Sequence, residues 1–269
     1  MDASYYQGKL ALITGGSEGI GLSIAESLLQ AGARVVIASR NADKQRSALQ
    51  HLSKFKKESQ LLKGIALDVT NRQAVFEHLD ALCSQEGVPD ILINNAGYSL
   101  PGWLEKLSPD DIRKTMETNF FGVLHSTQAL LPRFYEKRRG HIVNVSSVAG
   151  LLGVFGYTVY CASKYAVIGF SEALRREAAP YGVRVSVLCP PNTRTPGLDQ
   201  ENKIKPPEVL KAEETVKTIG PDVVAHALLK QLPKNPFVII PTWDSHLIWL
   251  AARLFPGLLD ILLKRPTPV

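Results

Sequence analysis

Thr14-Gly15-Gly16-Ser17-Glu18-Gly19-Ile20-Gly21 is the stretch on which the reading of this chain turns. A strand-sized apolar run, Leu10–Thr14, precedes it, and a helix-length amphipathic segment, 20–31, follows. Glycines at such a junction let the backbone turn sharply and approach a pyrophosphate. The helix N-terminus then offers free N–H donors and the positive end of its dipole. Gly15, Gly19 and Gly21 are spaced one residue differently from the commoner GxGxxG. A glycine turn alone also serves as a plain corner, so its weight comes from its surroundings.

Those surroundings repeat the strand–helix alternation. Runs at 34–38, 64–68, Ile91–Asn94, 141–145 and 184–188 are rich in Val, Ile and Leu. Continuous apolar runs of this length suit strands covered on both faces. Between them lie helix-length segments at 43–57, 72–85, 111–137 and 158–179. The fold class expected is α/β: a doubly wound, mostly parallel Rossmann sheet with helices on both faces. A single domain is expected over 1–269. After residue 188 a Pro-, Thr- and Asn-rich excursion begins, with helices expected at 208–218 and 221–232 and a last strand at 237–240. A loop this long is usually functional, so 190–218 is read as the substrate loop and its helices.

Composition narrows the class further. A 45% hydrophobic, 21% charged chain of 269 residues has the balance of a globular domain with a sizeable core. The net charge of +6 is mild, and the basic runs 54–57 and 137–139 are too short to argue for nucleic acid, so no nucleic-acid partner is expected. Cys83, Cys161 and Cys189 lack metal-ligand spacing, so no metal site is expected and the chain reads as reduced and cytoplasmic. No run of 18 uninterrupted apolar residues offers an ordinary membrane span.

Gly15, Ser17, Glu18, Gly19, Ile20 and Gly21 are the candidate phosphate cradle. After the second strand, NAD-selective sites carry an acid for the ribose hydroxyls, whereas NADP sites carry an arginine nearby. This chain has Ser39-Arg40-Asn41, then Lys44, with no carboxylate before Asp43. Arg40 and Lys44 therefore favour NADPH, the alternative being a solvent-exposed arginine on a loop. Asp68 and Val69 follow strand three, where adenine would lie. Asn95, Ala96 and Gly97 follow strand four, against the adenosine ribose and central helix. Either pair of strand ends also reads as an ordinary turn.

Tyr160-Cys161-Ala162-Ser163-Lys164 opens a long helical segment, placing Tyr160 and Lys164 four apart on one face. A neighbouring ammonium is expected to lower the phenol from its usual pKa near 10, by about two to three units. Tyr160 would then exchange a proton with a carbonyl or alcohol oxygen. Ser147, after the strand 141–145, can hydrogen-bond the same oxygen. Asn119 is a poor helix-interior residue within 111–137, placed to link water to Lys164.

Together these residues resemble the Asn–Ser–Tyr–Lys tetrad of the short-chain dehydrogenase/reductase family. The glycine motif and Asn94-Asn95-Ala96-Gly97 match that family as they stand, and the resemblance runs from about residue 9 to 188. It implies an oxidoreductase with Asn119, Ser147, Tyr160 and Lys164 as catalytic residues. Tyr160 and Lys164 would also contact the cofactor. Pro190, Thr193 and Thr195 would border the nicotinamide, although Pro191 replaces the family's usual glycine. The segment from Pro190 through Glu201-Asn202 and Lys205-Pro206 is similar to that of 3-ketodihydrosphingosine reductases, with Asn192 and Arg194 where acids are usual. The implied reaction is NADPH-dependent reduction of a hydrophobic lipid ketone. Reduction of a 3-oxoacyl thioester or steroid is the alternative, followed by a non-catalytic NADPH-binding scaffold.

Two apolar stretches, 98–104 and 150–155, are expected at the substrate mouth, with ordinary core packing as the alternative. The tail at about 244–265 spaces His246, Arg253 and Asp260 by sevens among apolar residues, with a break at Pro256-Gly257. It reads as an interfacial helix in peripheral contact with a membrane, or as packing on the domain or another subunit. A homo-oligomer is expected.

Overall fold

The computed structural model describes residues 3–214 and 216–254. Seven parallel strands form one sheet in the order β3-β2-β1-β4-β5-β6-β7. They are β1 (Leu10–Thr14), β2 (Arg34–Ser39), β3 (Leu62–Ala66), β4 (Ile91–Asn94), β5 (Gly140–Val145), β6 (Val183–Leu188) and β7 (Val238–Ile239). The order reverses between β1 and β4, which pair from Ala11 with Ile91 to Thr14 with Asn94. Ligand crevices in open parallel sheets lie at such a reversal, outside the carboxyl ends of the strands.

Helices cover both faces, because every residue of β1 and β4 is buried. On one face, Ile13, Val35 and Ile93 pack under α1 (Gly19–Gln30), with Ile24 and Leu28. On the other, Leu12, Val36 and Leu92 meet α3 (Arg72–Glu86) through Val75 and Leu79. Helix α2 (Ala42–Leu52) is capped by Asn41, whose side chain accepts the Lys44 N–H at 2.8 Å.

The expected helix 111–137 is not continuous. It divides into α4 (Pro109–Met116), a π-helical turn (Glu117–Phe121) and α5 (Gly122–Lys137). A reciprocal capping box between Ser108 and Asp111 starts α4 earlier than expected. The wide turn holds Asn119, and such turns recur at functional sites. β3 lies two residues earlier than expected, because Asp68 is spent on a turn, accepting the N–H and hydroxyl of Thr70. α2 ends at Leu52, short of the expected 57.

Helix α6 (Thr158–Ala178) carries Tyr160 and Lys164. Within the excursion an unexpected helix, α7 (Pro196–Asn202), is capped by Thr195 and opened by Pro196. It is followed by α8 (Pro207–Glu213), which stops before the expected 218. α9 (Pro221–Gln231) returns to the sheet, and α10 (Trp243–Leu254) follows β7.

Candidate active site

At the β1–β4 crevice the glycine turn is held by sterics and short hydrogen bonds. Gly15 and Gly19 adopt positive φ of 64° and 57°. A Cβ on Gly15 would meet Ala96 Cα at 2.8 Å, and one on Gly21 would meet Asn95 Nδ2 at 2.5 Å. Asn95 donates from its side chain to the carbonyls of Thr14 and Gly15, at 3.1 and 3.0 Å. The Asn95 and Ala96 N–H groups both donate to Thr14 Oγ1. Asn95 thus stitches the turn to β4. No side chain caps the N-terminus of α1, where Glu18 is extended, so its first N–H groups are left for an anion. This cradle fits the phosphates of a dinucleotide.

Along the crevice, Ser17 and Ser39 are joined through their hydroxyls at 2.9 Å. Arg40 is exposed and makes no ion pair among the described residues. Lys44 is committed to Glu18 at 2.7 Å. Val69 is buried against Gly122, and its carbonyl accepts His125 Nδ1–H at 3.0 Å. Thr195 stands over Gly19, its Cγ2 3.0 Å from where a Cβ would be. Thr193 turns inward, donating to the Pro191 carbonyl at 2.8 Å. The Pro190 carbonyl accepts the Val148 N–H at 3.0 Å, which joins the ends of β5 and β6.

The expected tetrad converges at the same edge. Ser147 follows β5, partly buried beside the Tyr160 phenol; its hydroxyl accepts the Ala149 N–H at 3.1 Å and donates to the Pro190 carbonyl at 3.4 Å. Lys164 is buried beneath Tyr160, its Nζ 5.6 Å from the ring centroid and donating to the Val145 carbonyl at 3.0 Å. Asn119, fully buried, accepts the Tyr98 N–H at 2.7 Å and donates to the Tyr98 carbonyl and Ser163 Oγ. Gly97 leaves a gap between Lys164 and Asn119. A Cβ there would lie 3.5 Å from Lys164 Nζ and 3.6 Å from Asn119 Oδ1.

The expected acidification of Tyr160 is reversed in this structure. Desolvation pushes its phenol above the ordinary value, and the Ser147 hydroxyl opposes that only in part. Burial acts on Lys164 in the opposite direction, lowering it to about 8, partly offset by the nearby Cys189 thiol. Both shifts penalise the charged form, as expected of groups removed from water.

Apolar walls flank the centre. Trp103 and Phe155 meet edge to face with centroids 5.2 Å apart, and the Gly102 N–H donates to the Gly156 carbonyl at 2.8 Å. Val154 and Phe155 pack with Tyr157 and Tyr160. Leu151 packs instead against the buried cluster of Val187, Cys189 and Ile240 on the β6–β7 side.

Sequence reasoning passed over several polar partners. Ser163 and Thr14 are ordinary in sequence, yet each organises a site residue. Asn94 bridges to Thr127 and Asn144 within the sheet. Tyr157 donates to Glu201 Oε1 at 2.5 Å, joining the catalytic helix to α7. For Ser163 the available signal was its place beside a catalytic residue on a helix face that is otherwise mostly apolar.

Known proteins share this fold and much of this sequence. A family model described as short chain dehydrogenase matches residues 9–205. A mouse 3-ketodihydrosphingosine reductase is 38% identical over 232 residues, covering 86% of this chain and 70% of that protein. The 3-ketodihydrosphingosine reductase of Dictyostelium discoideum is 35% identical over 273 residues, covering 94% and 79%. A crystal structure of a short-chain dehydrogenase/reductase from Burkholderia phymatum, in complex with NAD, superposes with a TM-score of 0.82 at 26% identity, covering 98% of each chain. With a parallel sheet of this order and a match through both the glycine turn and the tyrosine helix, the chain belongs to the short-chain dehydrogenase family of oxidoreductases.

Proposed function

We propose that this chain is an NADPH-dependent reductase that converts 3-ketodihydrosphingosine to dihydrosphingosine in sphingolipid synthesis, working as one domain. The observation that carries the reading is Tyr160, set beside Ser147 and seated over a buried Lys164, at a sheet edge bordered by apolar side chains. The names of its relatives supply the substrate.

When bound, the reduced nicotinamide supplies the hydride that reaches the carbonyl carbon. Ser147 Oγ holds the carbonyl oxygen, and Tyr160 Oη delivers the proton that completes the alcohol. Because desolvation keeps the phenol protonated, Tyr160 begins the reaction as an acid. The Lys164 ammonium stabilises the phenolate left behind and reaches the nicotinamide ribose. Asn119 holds the π-helical turn in register and faces Lys164 across the gap at Gly97. The cradle residues Gly15, Ser17, Glu18, Gly19, Ile20 and Gly21 take the pyrophosphate, with Pro190, Thr193 and Thr195 beside the nicotinamide. Asp68, Val69, Asn95, Ala96 and Gly97 border the adenosine. Arg40, just after β2 and without an ion pair among the described residues, would read the 2′-phosphate, with Lys44, paired to Glu18, a second cation nearby.

Among the described residues no helix is long and apolar enough to cross a membrane. α10 packs on the domain through Trp249 and leaves Trp243, Leu247, Leu250 and Leu254 exposed along one stripe. We read that stripe as a peripheral membrane contact of a cytoplasmic homo-oligomer. The expected break at Pro256-Gly257, together with Asp260, Lys264 and Arg265, lies outside the described residues. Co-sedimentation with vesicles, before and after truncation following Trp243, tests it.

The function itself is tested by NADPH oxidation with 3-ketodihydrosphingosine, a 3-oxoacyl thioester, a steroid ketone and a simple ketone. The sphingoid ketone should exceed the others in kcat/KM by about tenfold or more, the product being dihydrosphingosine. A preference for the thioester or steroid would replace this substrate.

A further inference from the structure

Lys205 lies between α7 and α8 with its side chain 1% exposed. Its ammonium donates to Asn202 Oδ1 at 2.8 Å and Glu213 Oε2 at 2.6 Å, and stands 3.0 Å from Glu201 Oε1. A buried ammonium persists only when it is paired, and this one is paired to both helices at once. Glu201 Oε1 in turn accepts the Tyr157 hydroxyl at 2.5 Å. Tyr157 is the N-cap residue of α6, so its ring stands beside Tyr160, with centroids 6.0 Å apart.

A second, apolar contact seats the same pair of helices. Val209 of α8 is 1% exposed and packs with Ala149, Tyr157, Cys161 and Tyr160. It fits because Gly156, at φ +78°, has no Cβ to collide with it. Charge and packing therefore converge on one place, the wall of the crevice next to the proton donor.

We infer that Lys205 is a positioning residue for this reductase: it clamps α7 to α8 and, through Glu201 and Tyr157, holds both helices against the catalytic helix as a preformed substrate wall. Without the clamp, two largely buried carboxylates repel, and the helices part from α6. An apolar substrate chain must then order this wall itself, a cost that falls on binding. The glycine turn and Arg40 lie at the other end of the crevice, and Thr195, the α7 residue nearest the cofactor, is anchored separately over Gly19, so most of the cofactor affinity is spared. Only the kinetic part of this inference rests on the function proposed above.

The test compares the full-length wild type with Lys205→Met and Tyr157→Phe. Hydrogen exchange, read without substrate, should quicken about tenfold or more across 196–213 in Lys205→Met, with β4 to β6 unchanged. In steady state, both variants should raise KM for a long-chain ketone about tenfold, the size of one lost charge-assisted bond. The kcat for a short, water-soluble ketone and the dissociation constant of NADPH should stay within about twofold. Unchanged exchange in Lys205→Met overturns the clamp, whatever the activity. Equal losses on long and short ketones, with a lower melting temperature, make Lys205 an ordinary stabilising residue and overturn the positioning role. If Lys205→Met fails to fold, Tyr157→Phe removes a single oxygen, and an unchanged long-chain KM there overturns the inference. Quickened exchange in Lys205→Met, with the wild type inactive on every sphingoid ketone, would sink the proposed substrate while supporting the clamp.

Discussion

Where β1 meets β4, the crevice is built from backbone: glycines too crowded to carry a Cβ, and Thr14 and Asn95 tying one strand end to the other. Where β6 hands over to α7 and α8, it is built from side chains, with one buried lysine between two glutamates and a tyrosine below. The first construction binds a ligand whose phosphates and ribose are constant, so it can be rigid. The second, which we propose faces the variable part of a substrate, is held by a few long-range charges. Sterics protect one end, whereas the other is only as firm as its ion pairs.

The comparison breaks most severely at the glycine turn. Gly21→Ala would drive a methyl against the Gly15 carbonyl and Asn95 Nδ2. We expect a cost near the top of the overpacking range, about 3 kcal/mol, or about 100-fold in NADPH dissociation. Fluorescence titration checks this, and exchange across α7 and α8 should not change. Weaker NADPH binding accompanied by quickened exchange across α7 and α8 would mean that the two ends are one unit.

A milder change sharpens the cofactor end alone. Arg40→Ala should weaken NADPH by about 2 kcal/mol, near 30-fold, and leave NADH almost unaffected. Equal weakening of both cofactors in isothermal titration would remove Arg40 as the phosphate reader.

Around neutrality the smallest effect expected is on the pH profile, and it grows only beyond pH 8. Lys164 sits near 8, so its ammonium is present below that pH and lost above it. Tyr160 is pushed upward and keeps its proton over the same range. The reductive kcat should therefore fall as pH climbs through about 8, approaching tenfold per unit beyond it. A flat profile to pH 10 would show that the ammonium is not needed.

Much of this was legible in the sequence because the constraints involved are local. The glycine turn, the apolar strands and the Tyr160–Lys164 spacing each follow from short-range geometry, and all but β3, shifted by two residues, lie close to where the pattern put them. What escaped depended on distant partners. The helix 111–137 reads as continuous because nothing nearby shows that Asn119 will be claimed by Tyr98 and Ser163, opening a π-helical turn. α7 was hidden in a Pro- and Thr-rich run, although Thr195-Pro196 is a capping sequence in its own right. The acidified Tyr160 was expected from charge proximity alone; burial, which sequence spacing does not report, outweighs it. Glu201 and Lys205 stand in the sequence as an ordinary i, i+4 pair, and only the fold brings Glu213 and Tyr157 to them.

The central claim is that Tyr160 is the proton donor for ketone reduction. Its most direct test is single-turnover oxidation of bound NADPH by 3-ketodihydrosphingosine at pH 7, in the wild type and in Tyr160→Phe. The ring and its packing remain in the variant, so NADPH should bind within about twofold of wild type while the rate falls at least about 1,000-fold. A Tyr160→Phe protein that turns over at a rate near that of wild type would contradict the account.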